Sequence, residues 1–299
     1  MVKPVVIQTS NYVDQSTYQY RFPTGSIKVV DGDSVALAQA SMFYSFYNIG
    51  TQYRNTTFTY YWYDLAHPYG VINAGNTYTV TYPDGFYNLN FPNAINTYQE
   101  YFEKAMIANG TYLLDATGEY VFYFEILWNA TYGKAQIVSY PLPTALPVGW
   151  SLPVGATWAL PAVATCPVLD ISSTSSNVPT LLGIDAGLYP PIFQGTTYSI
   201  LGTRETNFYP VTSVIVSCNI LKNVYSSPPT NLYTIPIQQY GFGDAISVNL
   251  GEYAYVNLVP GIYDSFEIRL LDQNYQPLLM NDKDIIVYLL FQTKADLNV

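Results

Sequence analysis

Apolar and polar residues alternate along most of the chain with a period of two. Tyr18, Tyr20 and Phe22 share one face of 17–22, Phe58, Tyr60 and Trp62 one face of 57–63, and Tyr120, Phe122, Phe124 and Ile126 one face of 120–126. In 265–271, Phe266, Ile268 and Leu270 point one way while Glu267 and Arg269 point the other. Successive side chains of a strand project to opposite faces, so each pattern predicts a strand with one covered face. Two runs, 35–40 and 285–291, are apolar on both faces. They predict central strands, or strands whose outer face meets a neighbour. One segment has helical period. Ile95, Tyr98, Phe102, Ala105 and Met106 fall on a single stripe, with Pro92-Asn93 before it and Asn109-Gly110 after it.

The stretch 141–191 breaks the pattern. It holds nine of the 20 prolines and the polar run 172–177, yet also Trp150 and Trp158. Few strands of ordinary length fit between those prolines, and the stretch is too apolar for a flexible linker. It reads as a long connection or irregular insertion, 141–205, after which strand patterning resumes from 211 to 291. Many short strands separated by Pro/Gly turns define an all-β fold. The expected form is a single jelly-roll β-sandwich over 1–299, with one short helix and the Pro-rich insertion. A lectin-like sandwich is the structural rival.

Composition narrows the function. Hydrophobic residues make up 49% of the 299, so a sizeable core is available. Charged residues make up only 11%, against about a quarter in an average soluble domain. Tyr occurs 31 times, and a ring with a polar tip suits surfaces that become buried against a partner. Net charge is −10 with 11 basic residues scattered singly. That argues against nucleic acid and against an anionic membrane surface. No segment reaches the ~20 apolar residues of a membrane span. The apolar run at 5–7 is too short for a secretory signal and follows Pro4, so a soluble chain made in a reducing cytoplasm is expected. Cys166 and Cys218 fit no metal spacing; free buried thiols are expected, with a bridge left open for an oxidising compartment.

Candidate chemistry is sparse. His67 is the single histidine and precedes Pro68, which reads as a turn; no Gly-x-Ser-x-Gly elbow accompanies it. A β-sandwich glycosidase needs only two carboxylates. Glu125, Glu252, Glu267, Asp272, Asp282 and Asp284 are candidates, Glu125 lying mid-strand. Asp31-Gly32-Asp33 and Asp282-Lys283-Asp284 resemble fragments of calcium loops but do not continue as a ligand series, and read as turns. The cluster Tyr60, Tyr61, Trp62 and Tyr63 is where an exposed sugar-stacking platform would lie, although alternation puts half of it in the core. No residue is assigned a catalytic, cofactor-binding or metal-binding role, and no cofactor is expected. The chain reads as a non-enzymatic protein that assembles with copies of itself and other subunits. A carbohydrate- or receptor-binding module is the alternative, and a glycosidase a further one. The outward pair Glu267 and Arg269 marks one face on which such contacts are expected.

The C-terminal third is the most distinctive. It reads 256–263 Val-Asn-Leu-Val-Pro-Gly-Ile-Tyr, then 266–271 Phe-Glu-Ile-Arg-Leu-Leu. It continues with 272–278 Asp-Gln-Asn-Tyr-Gln-Pro-Leu, Asn281-Asp282 and the strand 285–290. This resembles the C-terminal signature of the minor capsid (penton) proteins of virophages and Polinton-like viruses. Asp33–Leu37, Tyr82–Tyr87, Leu181–Gly183 and Pro210–Asn219 are similar to earlier parts of that family in the expected order. Lys283 departs from the pattern, which has a proline or small turn residue there. The resemblance implies a jelly roll forming a homo-pentamer at the fivefold vertices of an icosahedral virion. It also implies contact with a double jelly-roll major capsid protein and synthesis in the host cytoplasm, while the acidic balance argues against a genome-binding role.

Overall fold

In the computed structural model, which describes residues 2–89 and 97–294, most of the period-two runs form antiparallel strands, but 120–126 breaks into Tyr120–Val121 and the start of Phe124–Asn129, with Tyr120 exposed. Contacts between residues divide the chain into two units, Met1–Phe46 with Val211–Val299, and Tyr47–Pro210.

In the first unit one sheet runs in the order Lys3–Gln8, Ile285–Gln292, Ser34–Phe43, Ala245–Asn249, with Val256–Asn257 also pairing along Ser34–Phe43. The other runs Asn231–Pro236, Ser213–Cys218, Ser265–Leu271, Thr17–Arg21, Tyr12–Asp14. N- and C-terminal strands thus share both sheets, and the long-range pairing makes the unit a jelly-roll-like sandwich. Alternation decides what lies between the sheets. Val5, Ile7, Val287 and Leu289 are buried from one side, Val214, Val216, Ile268 and Leu270 from the other. The Phe291 ring lies 5.5 Å from Phe266 and 6.5 Å from Phe22, which closes the two layers face to face.

The second unit has its own sheets and core. Leu188–Tyr189, Val168–Asp170, Thr57–Tyr61 and Thr77–Thr81 form one sheet; Phe124–Asn129, Lys134–Ser139 and Tyr198–Leu201 form another. The helical stripe is the helix Tyr98–Ala108, capped by Thr97, whose hydroxyl accepts from Glu100 N at 3.0 Å. Tyr98, Phe102 and Met106 are buried, with Phe102 packing 5.2 Å from Phe58 and 5.7 Å from Phe124. Ile95 and the predicted start at Pro92-Asn93 lie outside the described residues.

The Pro-rich stretch differs from the irregular insertion expected at 141–205. It contributes three of the strands above and a second helix, Val178–Leu182. Its prolines stand where strands and helices tolerate them. Pro167 precedes Val168–Asp170, Pro190 follows Leu188–Tyr189, and Pro179 lies in the first helical turn. Trp158 is buried and donates to the Gly110 carbonyl at 2.6 Å. The segment that leaves the first unit and returns to it is therefore the whole of Tyr47–Pro210. Its ends are joined by one side chain. Asn48, 1% exposed, donates to the Tyr87 and Phe208 carbonyls at 2.7 and 2.9 Å and accepts from Tyr87 N at 2.9 Å.

Candidate assembly face and the predicted site residues

The strand register places a second apolar layer on the outside of the first sheet. Pro4 stands opposite Leu290, Val6 opposite Tyr288 and Gln8 opposite Ile286. Ile286 in turn faces Ser41, and Tyr288 faces Gln39. Phe43 stands opposite Ala245 and Ser41 opposite Ser247. Their sequence neighbours Val5, Ile7, Met42, Val287 and Leu289 are buried on the inner side. Outward exposure reaches 41% at Val6, 42% at Phe43 and 47% at Ile286. None of these outward positions carries a lysine, arginine, aspartate or glutamate, on a chain of net charge −10. An antiparallel sheet face left to water is ordinarily polar. Pro4, Val6, Ile286, Tyr288 and Leu290 form an apolar patch on two adjacent strands, and Gln39, Ser41 and Ser247 continue the face without charge, a composition that suits an interface. At one end the face dips into a cavity of about 370 Å³ between Gln8, Ser41, Phe43 and Ile286, with Asp284 at its border held by Thr9 Oγ1 at 2.9 Å.

The outer side of the second sheet is different. Arg21 stands opposite Ser265, Gln19 opposite Glu267 and Thr17 opposite Arg269. Arg269 donates to Glu267 at 3.1 Å on its own strand. The expected Glu267/Arg269 face is thus charged and internally paired, while the open apolar face belongs to the other sheet.

The remaining candidates are placed as follows. Tyr60, Tyr61, Trp62 and Tyr63 are all buried, so they offer no exposed platform for a sugar. Tyr60 Oη lies 2.7 Å from Thr111 Oγ1 and accepts from Asn109, and burial pushes its phenol well above the ordinary value. Tyr61 donates to Asp170 on the neighbouring strand. Trp62 packs against Trp158 at 5.0 Å. Glu125 accepts from Tyr140 Oη at 2.9 Å. A second carboxyl, Glu103 on the helix, feels its charge. Burial raises the Glu103 pKa, the hydrogen bond from Gln99 opposes that, and the charges of Glu125 and Glu100 add to it. Gln99 also donates to Phe124 O and accepts from Ile126 N, so the group ties helix to strand. Sequence spacing gives no sign of Glu103, because the two carboxyls come from different elements.

His67 closes a turn, its N and Nδ1 both meeting Asp64 Oδ1 at 2.7 and 3.0 Å. Asp33 accepts from Val30 N and Lys294 N, Asp272 from Asn274 N and Gln276 N, and Asp282 from Asp284 N, so all three shape turns. Asp31 and Glu252 are exposed. Among the described residues no three His, Cys, Asp or Glu side chains gather as a metal-binding group. No described helix is long and apolar enough to cross a membrane. Both cysteines are free and buried, and burial pushes the Cys218 thiol up to about 12.

These features define an all-β chain whose jelly-roll-like unit leaves one outer sheet face apolar. No protein-family model matches the chain, and no curated protein matches it. Among solved structures it is similar to the mavirus penton protein, with a TM-score of 0.41 and 10% identity over 98% of each chain. It is also similar to a chain of the Sputnik virophage structure, with a TM-score of 0.36 and 12% identity over 98% of each chain.

Proposed function

We propose that this protein is a capsid subunit that builds the pentameric vertices of an icosahedral virus or virophage, joining copies of itself to a major capsid protein without catalysing a reaction. The observation that carries the reading is the uncharged apolar outer face around Val6, Phe43, Ile286 and Tyr288. Covering such a face removes apolar surface from water at about 25 cal/mol per Å². A ring needs unlike patches to meet around an axis, and this sheet has two unlike edges, Lys3–Gln8 on one side and Ala245–Asn249 on the other. The sequence resemblance to minor capsid proteins supplies the vertex and the major capsid partner. The acidic balance keeps free subunits apart until they dock.

Light scattering and negative-stain imaging of the purified chain test the reading. Five-membered rings are expected, alone or on addition of the partner. Val6→Lys with Ile286→Lys should return the mass to that of one subunit while the melting temperature holds. Rings that persist in that variant would exclude this face as the contact.

A further inference from the structure

The second unit holds a cavity of about 390 Å³ that the assembly reading does not use. Leu65, Tyr69, Pro161, Val163 and Phe193 form much of its wall, and Asp64 is its only carboxylate; no lysine, arginine or histidine lines it. Tyr69 and Phe193 meet at 5.6 Å and 80°, and Tyr69 is backed by Tyr63 at 5.0 Å. The rim is open and apolar, with Leu65 63%, Val163 61% and Phe193 44% exposed. The Asp64 side chain is only 4% exposed. Both hydrogen bonds to its carboxylate end on Oδ1, from His67 N and Nδ1. Oδ2 has no hydrogen-bond partner among the described residues. It is not among the sealed, unpartnered polar atoms of the described residues, which are Trp62 Nε1, Tyr98 Oη and Asn231 Oδ1, so it keeps some accessible surface, and Asp64 lines the cavity.

A mostly buried carboxylate oxygen without a donor is costly, and its cost is relieved by whatever brings one. An apolar slot with an anion at its end is complementary to a side chain with an apolar stem and a cationic head. Aromatic walls favour such a head further. We infer that this cavity is a docking pocket for an arginine or lysine side chain presented by a partner polypeptide. A sugar ring fits less well. It would bring several hydroxyls, whereas the side chains of the wall offer the Asp64 carboxylate, the Tyr69 hydroxyl and Thr165, whose hydroxyl already donates to Val163 O at 2.6 Å. The chain has 21 acidic against 11 basic residues, so its field draws a basic partner in. The pocket stands or falls independently of the capsid reading.

The test is saturation-transfer NMR on the full chain with four probes: the Nα-acetyl methylamides of arginine, lysine and norleucine, and methyl β-galactoside. The basic probes should bind at least about tenfold more tightly than norleucine, a gap of about 1.4 kcal/mol. Asp64→Asn should remove that gap and leave norleucine unchanged. Because Oδ1 also shapes the 64–67 turn, a second variant closes the slot from its exposed rim. Val163→Trp should abolish binding of the basic probes with the melting temperature unchanged. Absence of binding, equal binding of norleucine, preference for the galactoside, or basic-probe binding that survives Val163→Trp would each overturn the inference.

Discussion

Asn48 shows what one buried polar side chain can hold. It answers three backbone groups from segments 39 and 160 residues away in sequence, and Asn55 Nδ2 donates to its own carbonyl at 3.0 Å. Truncation leaves those groups buried without partners, each costing about 1–3 kcal/mol. Asn48→Ala should therefore destabilise the protein by about 3–5 kcal/mol, read as a fall in the urea midpoint at constant slope. Asn48→Asp keeps the acceptor but sets a buried carboxylate oxygen against the Tyr87 and Phe208 carbonyls, so it should cost at least as much as Ala. Asp170 ends an inner strand, paired with Leu188 on one side and Thr59 on the other. Burial opposes its charge, but hydrogen bonds from Ser172, Tyr61 and Thr59 outweigh that and hold its pKa below the ordinary 3.8. A depressed carboxylate gives stability that is fully present above the unfolded-state pKa and lost as pH falls through the folded-state value. Asp170→Asn should thus lower the melting temperature at pH 7, while its melting temperature converges on that of the parent as pH falls through the lowered folded-state value. A gap that persists undiminished into acid would show that packing, not charge, sets the effect of Asp170.

Thr97 caps the start of the helix Tyr98–Ala108, its hydroxyl accepting from Glu100 N. Thr97→Ala should cost about 1 kcal/mol, while Thr97→Ser restores it in thermal melts. The helix and most sandwich strands were legible from period alone, because each buries a single stripe or face. The 285–291 run showed its two apolar faces in sequence. Val6 and Phe43 join Ile286 only through strand register, which a single sequence does not reveal. The Tyr60–Tyr63 cluster misled for a related reason. Alternation leaves Tyr61 and Tyr63 outward, yet Tyr69, Val168 and Leu188 pack over that second face. The prolines of 141–191 suppressed the strand pattern, although they stand beside the short strands and not inside them.

At the scale of the whole chain, the division at Tyr47 and Pro210 gives a physical account of why a second unit can be carried within a sandwich. A segment is tolerated as an insertion when its ends lie close together and it has its own core. The Asn48 bond to Phe208 brings the two ends together, and the cluster from Phe58 through Phe102 and Phe124 to Leu182 is buried within 47–210. Residues 47–210 expressed alone should therefore fold, with a cooperative melting transition and the indole of Trp158 still shielded from quenchers. The complementary chain, 1–46 joined to 211–299 by a short Gly/Ser linker, should keep the pairing of Lys3–Gln8 with Ile285–Gln292 and hence the proposed assembly face. The linker adds little loop-closure cost, which grows only as the logarithm of length. If the excised 47–210 melts without cooperativity, the second core depends on the sandwich for stability and the chain is one folding domain. If instead both pieces fold and only the sandwich forms rings, assembly is assigned to the sheets of the first unit. The arginine pocket is then tested on 47–210 alone, where it should be retained in full.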